Sequence, residues 1–310
     1  MTLIIKGIKE LVHPRIFLKK SYDVLLENLA PLIPDKLFIK LKWRQLMNYS
    51  LNLDNPKTFN EKLQWLKLHD RRPEYTQMVD KCEAKKYVAA IIGEEHIIPT
   101  IAVYESVEDI DFNALPNKFV LKCTHDSGGV VVCRDKKVLD MESAKQKLQQ
   151  GLKQKFYWQT REWPYKNVKP RIIAEQYMED ESGYELRDYK FFVFNGRCEY
   201  FKIDFDRSTN HHANYYNRDC SLAYFGELHY PPIYEKNLSI PSNITRMIEL
   251  SEKLAAQIKS SFVRIDFYNV KNSIFFGEIT FFPASGVGQF TSDEWDMKLG
   301  QLIKLDNEVN

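Results

Sequence analysis

Four residues with chemical potential fall in two β-prone stretches near the end of the chain: Arg264 and Asp266 in Phe262–Val270, Glu278 and Thr280 in Ser273–Phe282. If these stretches form an antiparallel hairpin turning near Asn272, positions whose numbers sum to 544 face each other. Asp266 then lies opposite Glu278 and Arg264 opposite Thr280, and strand alternation puts all four on one face. Two facing carboxylates repel unless a cation or a proton lies between them. Magnesium suits that position, because it takes carboxylate oxygens together with substrate phosphates. The alternative is that one carboxylate pairs with Arg264 while the other faces solvent.

A second cluster is Lys122 followed by Cys123-Thr124-His125-Asp126-Ser127-Gly128-Gly129. Successive backbone N–H groups of a glycine turn can wrap a phosphate, and a lysine at the strand end adds a point charge. The spacing is neither the Walker A nor the GxGxxG dinucleotide pattern, and an ordinary hairpin turn is the competing account. His125 is a candidate for phosphate or acid contact. Cys123 has no activating partner in sequence and reads as a buried thiol. His211-His212 reads as a solvated loop more readily than as a metal site. The aromatic group Phe156, Tyr157, Trp158, Trp163 and Tyr165 suits either sugar stacking or packing.

These residues need elements to hold them. Lys118–Lys122 and Val130–Cys133 read as short strands, Met141–Tyr157 as a helix and Arg171–Met178 as a strand, together a small α+β module. Upstream, apolar spacing over Thr76–Ile92 predicts a helix stopped by Gly93, followed by an apolar stretch Ile97–Val103. Downstream, Asn195-Gly196 between Tyr189–Phe194 and Arg197–Phe205 predicts a tight hairpin. Ser242, following Pro241, is the expected N-cap of a helix over Ser242–Ser260.

Composition bounds the partners. The 310 residues are 44% apolar and 28% charged, with a net charge of +2, which gives no general basic excess for a nucleic acid. No run is long enough to cross a membrane, and the five scattered cysteines without a CxxC suit reduced thiols in a cytoplasmic chain. The charge is uneven. Residues 1–50 hold nine Lys or Arg and four Asp or Glu, a net of +5, leaving −3 for the remainder. That basic segment, with its isoleucines and leucines, reads as a helical arm on the main body; the other reading is peripheral contact of residues 1–20 with an anionic membrane, at the inner face of the cell membrane.

Taken in order, Asp80-Lys81, Ile98-Pro99-Thr100, Lys122 before its glycine loop, Ile172-Ile173-Ala174-Glu175-Gln176-Tyr177-Met178 and the final hairpin resemble the ATP-grasp superfamily. The segments Asn55-Pro56-Lys57-Thr58-Phe59-Asn60-Glu61-Lys62, Asp188 to Gly196 and Gly277 to Pro283 resemble its TupA-like branch, named for teichuronopeptide synthesis. The resemblance spans roughly residues 50–295 and leaves out most of the basic segment.

The resemblance implies an α+β ATP-grasp fold, two α+β lobes with the nucleotide between them, plus the helical N-terminal segment. The expected division is 1–50 for that segment, 51–117 for the first part of the module, 118–185 for a nucleotide-binding lid and 186–310 for a metal-binding lobe. It implies ATP and Mg2+. Lys81 and Lys122 would contact the phosphates under the loop Asp126, Ser127, Gly128 and Gly129. Glu175, Gln176, Tyr177 and Met178 would line the adenine, and Asp180, Glu181 or Glu185 would hold the ribose. Asp266 and Glu278 would bind the metal, with Thr280 where the superfamily commonly has Asn. Arg264, with Lys122, would be catalytic. The implied activity is a carboxylate–amine ligase working through an acyl phosphate. Its partners would be an amine or amino acid and a uronic-acid sugar of a surface polysaccharide such as capsule or O-antigen. A kinase on the same scaffold and a non-catalytic nucleotide- or glycan-binding partner are the alternatives.

Overall fold

The computed structural model describes residues 24–126, 128–180, 186–207, 209–236 and 238–305. Ser127, Glu181, Glu185 and residues 1–20, all singled out above, lie outside the described residues.

Two antiparallel sheets organise the chain. The smaller has four strands in the order β1 (Thr100–Tyr104), β4 (Ile172–Gln176), β2 (Phe119–Cys123), β3 (Val130–Cys133). Its core of Phe119, Leu121, Ile172 and Ala174 is closed by Ala144 and Leu148. The larger has six, in the order β10 (Ser273–Thr280), β9 (Phe262–Val270), β5 (Asp188–Phe194), β6 (Arg197–Phe205), β7 (His212–Asn217), β8 (Leu222–Ala223). The strands alternate with helices in sequence but pair antiparallel throughout, so the class is α+β.

Two turns set the registers of the large sheet. Asn195 and Gly196, at φ 48° and 83°, make the two-residue turn between β5 and β6. Lys271 and Asn272, at φ 50° and 62°, make the equivalent turn between β9 and β10. Positive φ at both central positions is the geometry whose twist matches that of paired strands. One face of the sheet packs on the helix Ile244–Ile258, which aligns Met247, Leu250, Leu254 and Ile258 with the apolar side chains of β5, β6 and β9.

Three helix expectations need correction. The helix expected over Thr76–Ile92 is two, Tyr75–Val79 and Glu83–Ile92. Asp80 breaks it: its backbone is extended, its carboxylate accepts from the N–H of Cys82 at 2.8 Å, and its other oxygen pairs with Arg171 at 2.8 Å. The helix expected over Met141–Tyr157 ends at Leu152 and resumes as Phe156–Thr160. The cap expected at Ser242 is Asn243, whose amide turns away from the helix and donates to Asn269 Oδ1 and to the carbonyl of Asn272, both at 2.9 Å. The helix start is thus tied to the β9–β10 turn rather than capped by a hydroxyl.

The helix Phe59–His69 begins with a complete capping box between Thr58 and Glu61 and is buried from Phe59 to Lys67. Its polar residues therefore need internal partners, and they find them in the segment after β10. Asn60 donates to the carbonyl of Gly288 at 2.8 Å, and Gln64 to those of Ser285 and Gly286 at 2.9 and 2.7 Å. Ala284, Ser285 and Gly286 are all left-handed, at φ 47°, 53° and 61°. A non-glycine residue in that region costs about 1–3 kcal/mol and persists only where its surroundings over-determine it. The earlier part of the chain is docked by Arg161, fully buried, which donates to the carbonyls of Ala30 and Ile33 at 2.6 and 3.1 Å and pairs with Asp35 at 2.9 Å.

Candidate active site

The pairing of Asp266 with Glu278, and of Arg264 with Thr280, holds. Its origin is less direct than the sum rule implies. Next to the turn the partners are Ser273 with Val270 and Phe276 with Phe267, one residue out of that register. Gly277 is an extra residue, a β-bulge between Phe276 and Glu278, and it moves the pairing by one before the acidic pair is reached. A Cβ on Gly277 would sit 3.0 Å from the carbonyl oxygen of Asp266, so any larger residue there must push the partner strand back by a few tenths of an ångström.

The four residues meet. Arg264 donates from Nε to Asp266 Oδ1 and from Nη2 to Asp266 Oδ2, both at 2.7 Å. Nη2 also reaches Glu278 Oε1 at 2.7 Å and Thr280 Oγ1 at 3.1 Å. The buried Lys190 donates to Asp266 Oδ2 at 2.8 Å and to Asp188. Asp266 is 1% exposed, whereas the Glu278 side chain is 44% exposed. Burial pushes the pKa of Glu278 up, but Arg264, Lys190 and Lys81 outweigh it and leave it lowered. Burial likewise lowers Arg264 and Lys190 while their carboxylate neighbours raise them further, so both stay charged. Arg264 thus bonds to both carboxylates, the buried Asp266 and the part-exposed Glu278.

Magnesium is compatible with this donor set in a limited way. Among the described residues no group of three or more His, Cys, Asp or Glu could form an all-protein cage. A hard ion that keeps phosphate and water ligands needs only one or two carboxylates. Glu278 is open to such an ion. Asp266 Oδ2 is saturated by two donors, and Oδ1 retains one lone pair beside Arg264 Nε.

Facing this hairpin is a cleft of about 530 Å³ between the two sheets. Lys122 enters from β2, and Glu175, Gln176, Tyr177 and Met178 from β4 and the chain after it. Lys81 and Lys85 come from the region of the broken helix, and Asp188, Lys190, Tyr268 and Glu278 from the large sheet. The break at Asp80 is what brings Lys81 in: Lys81 N–H donates to the carbonyl of Thr124 at 3.2 Å and its ammonium to the carbonyl of Asp126. Burial lowers the pKa of Lys81. Glu175 is 4% exposed and held between Lys122, at 2.7 Å, and Lys85. Burial alone would raise its pKa; the two lysines reverse that and hold it below the ordinary range.

Lys81, Lys122, Glu175 to Met178 and Glu278 therefore line one cleft, with Arg264, Asp266 and Thr280 directly behind Glu278. Asp126, Gly128 and Gly129 do not line it; the Asp126 carboxylate accepts from Gly129 N–H at 3.1 Å and closes its own turn. His125 is 4% exposed, and burial raises Cys123 to about 12, so that thiol is inert. The pair does not sit in a solvated loop: His212 opens β7 and meets the carbonyl of Pro231 at 2.7 Å, while His211 stacks on Tyr230 with its Nε2 3.5 Å from Asp204. The aromatic group divides: Tyr157 and Trp158 pack on Arg161, Trp163 lies under Arg71, and Tyr165, edge-on to Phe156, lines the cleft.

Lys85, Lys190 and Asp188 went without assigned roles in the sequence reading. The signal for Lys190 was there: alternation from Asp188 puts it on one face of β5, and the β5–β9 register sets it opposite Asp266. Lys85 carried none beyond its helical position. Asp188 and Asp204, register partners across β5 and β6, each keep one buried oxygen without a hydrogen-bond partner.

A charged cleft between two antiparallel α+β units, with lysines on one wall and an arginine–carboxylate hairpin on the other, is suited to holding a polyanion. Residues 61–304 match the family described as TupA-like ATPgrasp, and the chain belongs to that family. Comparison with curated proteins gave no match. Among solved structures, it is similar to D-alanine–D-alanine ligase from Bacillus anthracis complexed with ATP, at 15% identity and a TM-score of 0.41 over 73% of this chain and 63% of that one. It is also similar to the Helicobacter pylori enzyme of the same name, at 12% identity and 0.39 over 73% and 61%. Phosphoribosylamine–glycine ligase from Thermotoga maritima aligns at 13% identity and 0.37 over 67% and 48%. The chain spans less than two-thirds of the length of these three proteins.

Proposed function

We propose that this protein is an ATP-dependent carboxylate–amine ligase that joins an amino acid or similar amine to a uronic-acid carboxylate of a surface polysaccharide or its precursor, in the cytoplasm. The observation that carries the reading is that Lys81 and Lys122 line the same cleft as Glu278, with Arg264 bonded to Glu278 and Asp266 behind it. In this reading residues 118–185 close over the nucleotide as a lid, 51–117 complete the module, and 186–310 hold the reacting end, with 1–50 as a separate basic segment. Gln176 to Met178 line the base, and Lys122 and Lys81 hold the phosphates.

The first step transfers the γ-phosphoryl group to a carboxylate oxygen: a new O–P bond forms, the bond to the β-phosphate oxygen breaks and ADP leaves. The amine nitrogen then attacks the acyl carbon, the C–O bond to phosphate breaks, inorganic phosphate leaves and the amine proton passes to solvent. Arg264 stabilises charge on the transferred group, the preorganised electrostatic role that dominates such chemistry. Glu278 and Asp266, with Thr280, would hold magnesium, which neutralises phosphate charge when bound.

The test is ADP release across uronic acids crossed with amino acids, with free phosphate and product mass measured. Amine-dependent release of stoichiometric free phosphate is expected. Phosphate retained on the product would make the protein a kinase, and no substrate-dependent ADP release would leave only a binding role.

A further inference from the structure

The segment before the first long helix is apolar on two opposite sides. Residues 24–29 are helical and run into a 3-10 turn, Ala30–Leu32. The inner side, Leu26 and Ala30, packs on Phe38, with Trp158 and Leu41 alongside. The outer side carries Val24, Leu25, Leu29 and Leu32, exposed by 59, 57, 41 and 81%. A solvated helix needs one apolar stripe, facing the core, and a polar face opposite it. This one is fastened from within by the buried Arg161, so its outer leucines stand on a fixed base. The following helix, Asp35–Met47, adds the exposed Leu37, with Lys36, Lys40 and Arg44 also exposed. The exposed basic residues outnumber Glu27, the exposed acid of the same stretch.

We propose that this leucine ridge with its basic flank is a docking surface for an anionic lipid bilayer. The apolar side chains enter the interface between headgroups and acyl chains, and the lysines and arginine meet lipid phosphates, the two contributions that together hold a peripheral segment. The ridge lies apart from the residues that line the cleft, so the inference does not depend on the ligase reading. Among the described residues no helix is long and apolar enough to cross a membrane.

The experiment is co-sedimentation of the full chain with vesicles of phosphatidylcholine containing about one-third phosphatidylglycerol, and with vesicles of phosphatidylcholine alone. The variants are Leu25→Ser/Leu29→Ser/Leu32→Ser and Lys36→Glu/Lys40→Glu. Because these side chains are exposed, thermal melting should stay at the wild-type value, which separates loss of docking from loss of fold. The wild type should bind the anionic vesicles, less so as salt rises. Each variant should bind them at least about tenfold more weakly. Wild-type binding by the leucine variant, equal binding to both vesicle types, or no binding by the wild type would each overturn the proposal; in the last case a dimer that the leucine substitutions dissociate would make a second copy of the chain the occupant.

Discussion

Arg264 grips Asp266 with two parallel hydrogen bonds of 2.7 Å while the same Nη2 reaches Glu278 on the neighbouring strand. A planar guanidinium satisfies both carboxylates at once; a lysine has the charge without the fork. Arg264→Lys should therefore leave Asp266 paired with Lys190 and the fold intact, yet lower kcat by about a hundredfold or more, the scale of losing one preorganised donor. The check is steady-state ADP release beside a melting curve. Activity within a few-fold of wild type would show that the guanidinium is only structural.

The bulge at Gly277 makes a separate prediction, because it aligns Glu278 with Asp266. A methyl group there meets the Asp266 carbonyl at 3.0 Å and the Tyr268 ring at 3.3 Å. Gly277→Ala should cost about 1–3 kcal/mol by overpacking. It should also disturb Glu278 relative to Arg264, so turnover should fall further than stability implies. Thermal melting and ADP release measured on the same preparation separate the two effects.

Much of this site was legible because strand pairing is local. Asn195-Gly196 and the β9–β10 hairpin follow from turn chemistry and alternation, and the acidic pair was found from residue numbers alone. The turn and the bulge are each offset by one from a simple hairpin about Asn272, and the two offsets cancel at Asp266. What stayed hidden depends on contacts between segments far apart in sequence. Asp80 ends a helix that periodicity carries through, because Arg171, 91 positions away, takes its carboxylate. Lys85 is recognisable only once Glu175 is placed beside it. The polar positions Asn60, Gln64 and Lys67 gave no hint that they would hold the segment after β10.

Glu175 makes a prediction about acid stability. Its pKa is held below the ordinary carboxylate value because Lys122 and Lys85 outweigh burial. A lowered folded-state pKa means stability that is fully present above the unfolded value, about 4.3, and lost as the pH falls through the folded value. Glu175→Gln should remove that contribution, so its melting temperature should fall less steeply than that of the wild type below about pH 4. The variant also leaves Lys122 and Lys85 without their shared anion, so nucleotide affinity measured by calorimetry should change. Identical acid limbs for the two proteins would mean that the pair contributes nothing to stability.

Lys67 and Glu162 carry the last prediction. Lys67 is 2% exposed and donates to the carbonyls of Thr160 and Ser285, both at 2.8 Å; Glu162 is 4% exposed and accepts from the Ser285 hydroxyl. Burial pushes the lysine pKa down and the glutamate up, each opposed by the other's charge. Removing one member of such a pair strands the other in the interior, at a cost of about 3–5 kcal/mol. Here the cost has a direction, because both residues fasten Ser285, whose left-handed backbone needs its partners. Lys67→Met and Glu162→Gln should each lower stability by roughly that amount in urea unfolding. The double variant should lose clearly less than the two single losses combined, since neither charge is then left alone. Simple additivity in that cycle would mean that the two side chains act independently of each other.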